Sequence, residues 1–204
     1  MAEWSKASVL KTEEGDELSV GSNPYTVRQI KYIMSVFFTA DPHLGHKSIA
    51  KFRTFVKSTQ HNTELFVQDW VRNIRKNDVI YMLGDVAFDA ESLKIVGSLP
   101  GRKILVKGNH DDYINTAAQA KVFEEIHGMI SYKSAWLTHC PIHPDELRAR
   151  KVNVHGHVHN KSIMRKKHVF WQEEDPRYVN ACVDVVYPKY GTMFLSLDQI
   201  KQRF

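Results

Sequence analysis

The 204 residues are 43% hydrophobic and 25% charged, which fits one soluble globular domain with a full core. No stretch reaches the roughly 18 apolar residues of a membrane span, and two cysteines, Cys140 and Cys182, exclude a disulfide framework. A net charge of +5 suits a phosphate-bearing partner, and residues 1–16 lack the apolar run of a secretory signal, which leaves the cytoplasm as the expected location.

Residues 1–33 are mixed and polar, with turn formers at Gly21-Ser22-Asn23-Pro24. A short strand is expected at 17–20 and a helix at 26–34, as an N-terminal extension preceding a domain at 34–204. From there an apolar run, a turn and an amphipathic segment repeat. Residues 36–40 read as a buried strand ending at Asp41. Apolar positions 66, 67, 70, 71 and 74 share one helical face, which predicts a helix over 64–76. Lys47, Lys51 and Arg53 fall on a further expected helix just before it. A strand at 78–83 ends at Gly84-Asp85, and a helix at 90–99 is closed by Pro100-Gly101. A strand at 103–107 runs into Gly108-Asn109-His110, and a helix follows at 114–122. Then come a hairpin of 129–132 with 134–138, a strand at 152–154, and final strands at 178–186 and 192–197. Alternating strands and helices followed by clustered strands predict an α/β fold with a mixed sheet.

Each polar cluster falls where an apolar run stops. Ligands of open α/β sheets bind outside the carboxyl ends of strands, so Asp41, Asp85 and Asn109 could converge. Asp41 and His43 stand two residues apart, on one side of an extended chain, and His157 and His159 do the same. Such pairs can meet one cation or straddle two. Asp85 offers two oxygens to bridge, and the mixed N/O set suits Mn, Fe, Zn, Ni or Co rather than Ca. Singly, each has a plainer reading: a surface or capping pair, a turn at Gly84-Asp85, a left-handed Asn109, a core His139. The crowding of His155, His157 and His159 is harder to explain without metal.

Together, Asp41-Pro42-His43, Gly84-Asp85, Gly108-Asn109-His110-Asp111, Thr138-His139 and Gly156-His157-Val158-His159 resemble the motifs of the calcineurin-like metallophosphoesterase superfamily. The likeness covers about residues 35–200 and is nearest to the small stand-alone bacterial and phage enzymes. It implies two mixed β-sheets sandwiched by helices, a four-layer αββα arrangement. It implies two divalent ions, manganese first: Asp41, His43 and His159 would hold one, Asn109, His139 and His157 the other, with Asp85 bridging. His110 would be the catalytic histidine, and Asp111 would orient it through a ring-nitrogen hydrogen bond. The reaction implied is phosphoester hydrolysis by a hydroxide bridging the two metals, with His110 steadying or protonating the leaving oxygen.

His46, His155 and Arg53 are further candidates for support of the ligands or contact with substrate. Cys140 reads as a small packing residue, and Asn180 and Asp184, on a late strand, as structural residues or supports of the ligands. The basic run Lys161-Ser162-Ile163-Met164-Arg165-Lys166-Lys167-His168, followed by Phe170-Trp171, reads either as a nucleic-acid contact or as a solvated hairpin with aromatics packed beneath. The expected substrate is a small phosphodiester or nucleotide. The alternatives are a nuclease acting on DNA or RNA, a phosphoprotein phosphatase, and a scaffold without catalysis.

Overall fold

The computed structural model describes residues 34–168 and 171–203. The strand expected at 17–20, the helix from residue 26 and the side chain of Phe170 lie outside them. In chain order the elements begin with β1 (Val36–Thr39), α1 (Thr59–Asn73), β2 (Val79–Met82), α2 (Ala90–Ser98) and β3 (Arg102–Val106). Next come α3 (Thr116–Gln119), β4 (Glu125–His127), β5 (Met129–Tyr132), β6 (Ala135–Thr138) and β7 (Val152–His155). The chain ends with β8 (Met164–His168), β9 (Trp171–Glu174), β10 (Tyr178–Asn180), α4 (Val183–Tyr190), β11 (Leu195–Ser196) and α5 (Leu197–Lys201).

Parallel strands covered on both faces are apolar along their whole length, which is why β1, β2 and β3 were legible as unbroken runs. They pair in parallel with β4 beyond them, and β11 closes the other edge antiparallel, in the order β11-β1-β2-β3-β4. Phe66 and Trp70 of α1 and Leu93 and Val96 of α2 cover one face, against Ile80, Met82 and Leu105. The second sheet, β10-β7-β6-β5, is also mixed: β10, β7 and β6 run parallel, and β5 joins as the antiparallel arm of the expected hairpin. Ala135, Leu137, Val152 and Val154 pack against Phe38 and Val106, so a second apolar layer lies between the sheets. The architecture is α/β, with two mixed sheets flanked by helices.

Several elements differ from expectation for physical reasons. Helix α1 starts at Thr59 rather than 64 because Ser58 caps it, its hydroxyl accepting from the His61 amide. The polar first turn carries no hydrophobic signal. Residues 47–53 form only a single 3-10 turn, Ile49–Lys51. The helix expected at 114–122 shrinks to α3, since the Asn115 side chain accepts from the Ala117 amide and starts the helix there. The strand expected at 178–186 stops at Asn180, whose Oδ1 takes the Cys182 amide and turns the chain into α4. Val183 and Val186, one helical turn apart, then enter different apolar layers, and packing overrides their β-propensity. The strand expected at 192–197 keeps only β11; Ser196 and Gln199 form a capping box that opens α5. The edge strand β4 was not anticipated.

The basic run forms a separate hairpin, β8 with β9. Arg165 and Lys167 both pair with Glu173. Trp171 is 72% exposed, so it does not pack beneath the strands as expected.

Trp70 is fully buried between the sheet and its helices, with its indole N–H donated to the Pro100 carbonyl at 2.9 Å. Trp70→Ala is expected to lower the unfolding free energy by about 3–5 kcal/mol, read as an earlier urea midpoint. A change below about 1 kcal/mol would contradict this account of the core.

Candidate metal centre

The carboxyl ends of strands from both sheets meet at one place. Asp41 follows the Ala40 bridge to Cys182, and Asp85 and Asn109 follow β2 and β3. His139 follows β6, while His157 and His159 follow β7. Backbone bonds join these ends: Asp41 N to Gly84 O, His43 N to Asp85 O and Gly156 N to His139 O. Among the described residues, Asp41, His43, Asp85, His157 and His159 have φ between 49° and 70°. Outside this group only Lys133 and Arg148 share that left-handed conformation among non-glycine residues. It costs an L-residue roughly 1–2 kcal/mol, so its concentration here marks a functional constraint. Gly156 permits the approach, since a Cβ there would stand 2.5 Å from Asp41 Oδ2.

The side chains form two groups. In one, Asp41, His43 and His159 bring a ligand atom each within 4.8 Å of one another. Asp41 Oδ1 and His43 Nε2 are 3.6 Å apart, both buried, and neither has a hydrogen-bond partner. In the other, Asn109 Oδ1 lies 2.9 Å from His139 Nε2 and 3.0 Å from His157 Nδ1, and those nitrogens are 3.2 Å apart. Asp85 Oδ2 stands between the groups, 3.8 Å from His43 Nε2 and 3.5 Å from His139 Nε2. His139 Nδ1 donates to the Leu83 carbonyl at 2.8 Å, so in the neutral ring Nε2 turns a lone pair toward these oxygens. In that tautomer Asn109 Oδ1 and Asp85 Oδ2 both face the His139 lone pair, an arrangement that a cation among them would relieve. Spacings near 3 Å also suit ligand atoms about 2.1 Å from one ion, so these residues fit divalent metal.

Burial would raise the Asp41 carboxyl, but the side chains of His43 and Cys182 and the nearby imidazoles hold it below its ordinary range. The Cys182 thiol donates to Asp41 Oδ2 at 2.9 Å, and burial with that carboxylate pushes the thiol well up. A second support runs through α4. Asp184 accepts from His159 Nδ1 at 2.9 Å, which raises the His159 ring and leaves Nε2 for a cation. Burial opposes ionisation of Asp184, yet His159 and Arg53 hold it far below its ordinary value. Asn180 donates to the His159 carbonyl. Asp184 has the supporting place expected of it, whereas Cys182 was not anticipated as a partner because 178–186 reads as a plain strand.

Arg53 is 2% exposed, and its donors go to Asp184, Asn62 and the carbonyls of Asp41 and Pro42. All five N–H groups are used within the protein, so Arg53 acts as a support of the Asp41 and His159 loops. His155 is 1% exposed, bonded through Nδ1 to the Gly156 carbonyl, and burial lowers its pKa. It is no substrate contact. His46 lies at the cleft, with its Nδ1 accepting from the Ser48 amide. Cys140 is exposed rather than packed, within reach of His139 and His157.

His110 lies with its Nε2 4.0 Å from Asp85 Oδ2, and its ring is flanked by Phe88 and Tyr113. The role expected for Asp111 is corrected. Its Oδ2 accepts from the Asp85 and Gly108 amides and its Oδ1 from the Val86 amide, so it binds backbone and not the His110 ring. Burial raises its pKa despite those bonds. The aromatic neighbours, not Asp111, set the plane of His110. A cleft of about 790 Å³ opens over His43, His110, His157 and His159.

Residues 34–181 match the family model described as the calcineurin-like phosphoesterase superfamily domain. The Gene 66 protein of Mycobacterium phage L5 is 24% identical over 169 residues, 65% of this chain and 81% of its own. Its counterpart in Mycobacterium phage D29 is 28% identical over 165 residues, 63% of this chain and 80% of its own. A solved structure of a protein of unknown function from Aquifex aeolicus shares the fold, with a TM-score of 0.63 at 23% identity, over 84% of this chain and 100% of that one.

Asp111 ties the loop after β2 to the loop after β3. Asp111→Ala leaves three amides without their acceptor and is expected to cost about 3–5 kcal/mol in urea unfolding. His110→Ala, at the mouth of the cleft, is expected to change stability by less than about 0.5 kcal/mol. Equal stability of the Asp111→Ala and parent proteins would sink the strap.

Proposed function

The chain belongs to the calcineurin-like phosphoesterase superfamily, and from that premise we propose that it is a two-metal phosphodiesterase acting on small organic phosphodiesters or nucleotides. The observation that carries this reading is the convergence of histidine, aspartate and asparagine donor atoms from both sheets, with Asp41 Oδ1 and His43 Nε2 buried and unpartnered. Asp41, His43 and His159 would hold one ion and Asn109, His139 and His157 the other, with Asp85 within reach of His43 and His139 of the two groups. Divalent ions held there supply Lewis acidity and an activated water for in-line attack at phosphorus.

The chain itself supplies binding, orientation and a proton. His110 Nε2, near Asp85 at the mouth of the cleft, donates to the phosphoryl oxygens and passes its proton to the leaving oxygen. Asp184 fixes His159 and the Leu83 carbonyl fixes His139, so each ring presents its free nitrogen to the ion. The donors assigned here are imidazole nitrogens and carboxylate and amide oxygens, a set that accepts manganese. A reducing compartment, the cytoplasm, suits the two free thiols. Residues 34–204 form the catalytic domain in this reading, and 1–33 an extension to it.

The test strips the protein of metal and restores Mn, Fe, Zn, Ni and Co in turn, with nitrophenyl monoester and diester as substrates. Activity is expected only with metal and chiefly on the diester. Asp85→Asn and His139→Ala should lose bound metal and activity together, measured by elemental analysis. His110→Ala should keep its metal and lose about 10²–10⁴-fold in rate. Full activity without metal, or a His110→Ala enzyme at the parent rate, would overturn the mechanism.

A further inference from the structure

A row of aromatic rings, Phe52, His46, Phe88 and Tyr113, runs from the cleft past His110 to a ring just outside the cleft lining, and neither the core nor the metal ligands use it. Phe52, 71% exposed, stands edge-on to His46, and the His46 ring meets Phe88 at 4.8 Å between centroids. Phe88 in turn lies 5.2 Å from His110 and 5.4 Å from Tyr113. Tyr113, 67% exposed, lies flat against His110, with 15° between the ring planes. The row therefore passes His110, the ring facing Asp85, and ends on either side in an aromatic turned to solvent. Lys51, beside Phe52, and Lys161 also line the cleft.

Exposed rings joined to a reaction centre favour a ligand with flat faces of its own. The cations point the same way. Arg165 and Lys167 of the basic hairpin are paired with Glu173, so they do not form an open track for a long polyanion.

We propose that Phe52 and Tyr113 are stacking platforms for the two nucleobases that flank the scissile phosphate, making the substrate a nucleotidyl phosphodiester opened out across His110. The proposal rests on the phosphodiesterase reading above, because the phosphate lies between the platforms. His46 and Phe88 stand between the two ends, so bases resting on both platforms are held apart rather than stacked on one another. The bases must be splayed, so a dinucleotide or a single-strand end fits and a paired duplex does not. Every base has a π-face, so this recognition tolerates sequence. Lys51 and Lys161 meet the outer phosphate oxygens.

The test reads binding as well as turnover. A dinucleotide with sulfur on its linking phosphate, to slow cleavage, is titrated by calorimetry into the manganese-loaded full chain. The same sugar–phosphate backbone without bases is the second ligand. The base-bearing ligand is expected to bind roughly 10- to 100-fold more tightly. Phe52→Ala and Tyr113→Ala should each erode that margin by about 5-fold or more while leaving bound metal and affinity for the baseless backbone intact. Phe52→Tyr should restore the margin. Equal affinity of the two ligands for the parent protein would overturn the proposal, as would alanine variants that weaken both ligands alike. Base-dependent binding with no hydrolysis of any phosphodiester would leave the platforms standing and remove the phosphodiesterase reading instead.

Discussion

Lone pairs that point at one another repel, and this molecule gathers them deliberately. With His139 Nδ1 donating to Leu83, Asn109 Oδ1 and Asp85 Oδ2 stand 2.9 and 3.5 Å from the lone pair of His139 Nε2. Such a gathering persists only if the backbone beneath it has nowhere else to go. Each of the strand ends is held on two sides: by the apolar layer beneath its strand, and by hydrogen bonds between loops. The left-handed residues belong to the same constraint, since a relaxed backbone at Asp41 or His157 would swing its side chain away. Family membership and this electrostatic conflict point to the same chemistry by independent routes.

The supports differ in kind around the site, and the difference is instructive. Asp111 works through backbone amides and fixes loops. Asp184 works through a side-chain nitrogen and fixes a tautomer. Arg53 is a buried cation whose fork spans the Asp41 loop, α1 and α4, so it offsets the nearby carboxylates. At the mouth, by contrast, packing is aromatic and partly exposed, suited to a ligand that comes and goes.

What could be read from the chain depended on whether a feature is periodic, adjacent or distant. The strands before Asp41, Asp85 and Asn109 were plain because double burial demands unbroken apolar runs. His157 and His159 were plain because their crowding has no other use. Asp111 misled because it sits beside His110 in sequence, while its partners are amides, which no side-chain pattern encodes. For Arg53 the choice between support and substrate contact stayed open in the sequence, since its acceptors come from segments far apart in the chain. The helix that carries Asp184 was hidden inside a run of β-branched residues whose helical spacing mattered only once two apolar layers existed to receive it. Phe52 and Tyr113 are single aromatics among polar neighbours, and only the fold brings them into one row.

Neither candidate ligand group belongs to a single sheet. Asp41, His43 and Asn109 ride on the first sheet, His139, His157 and His159 on the second, and each group of three draws from both. The gap between the sheets is therefore the jaw opening of a calliper closed on the ligand atoms. That gap is set by Phe38 and Val106 meeting Ala135, Leu137, Val152 and Val154. Side-chain volume in this layer is thus a dimension of the reaction centre: one methylene added or removed there alters the fit of a cation that those residues never touch.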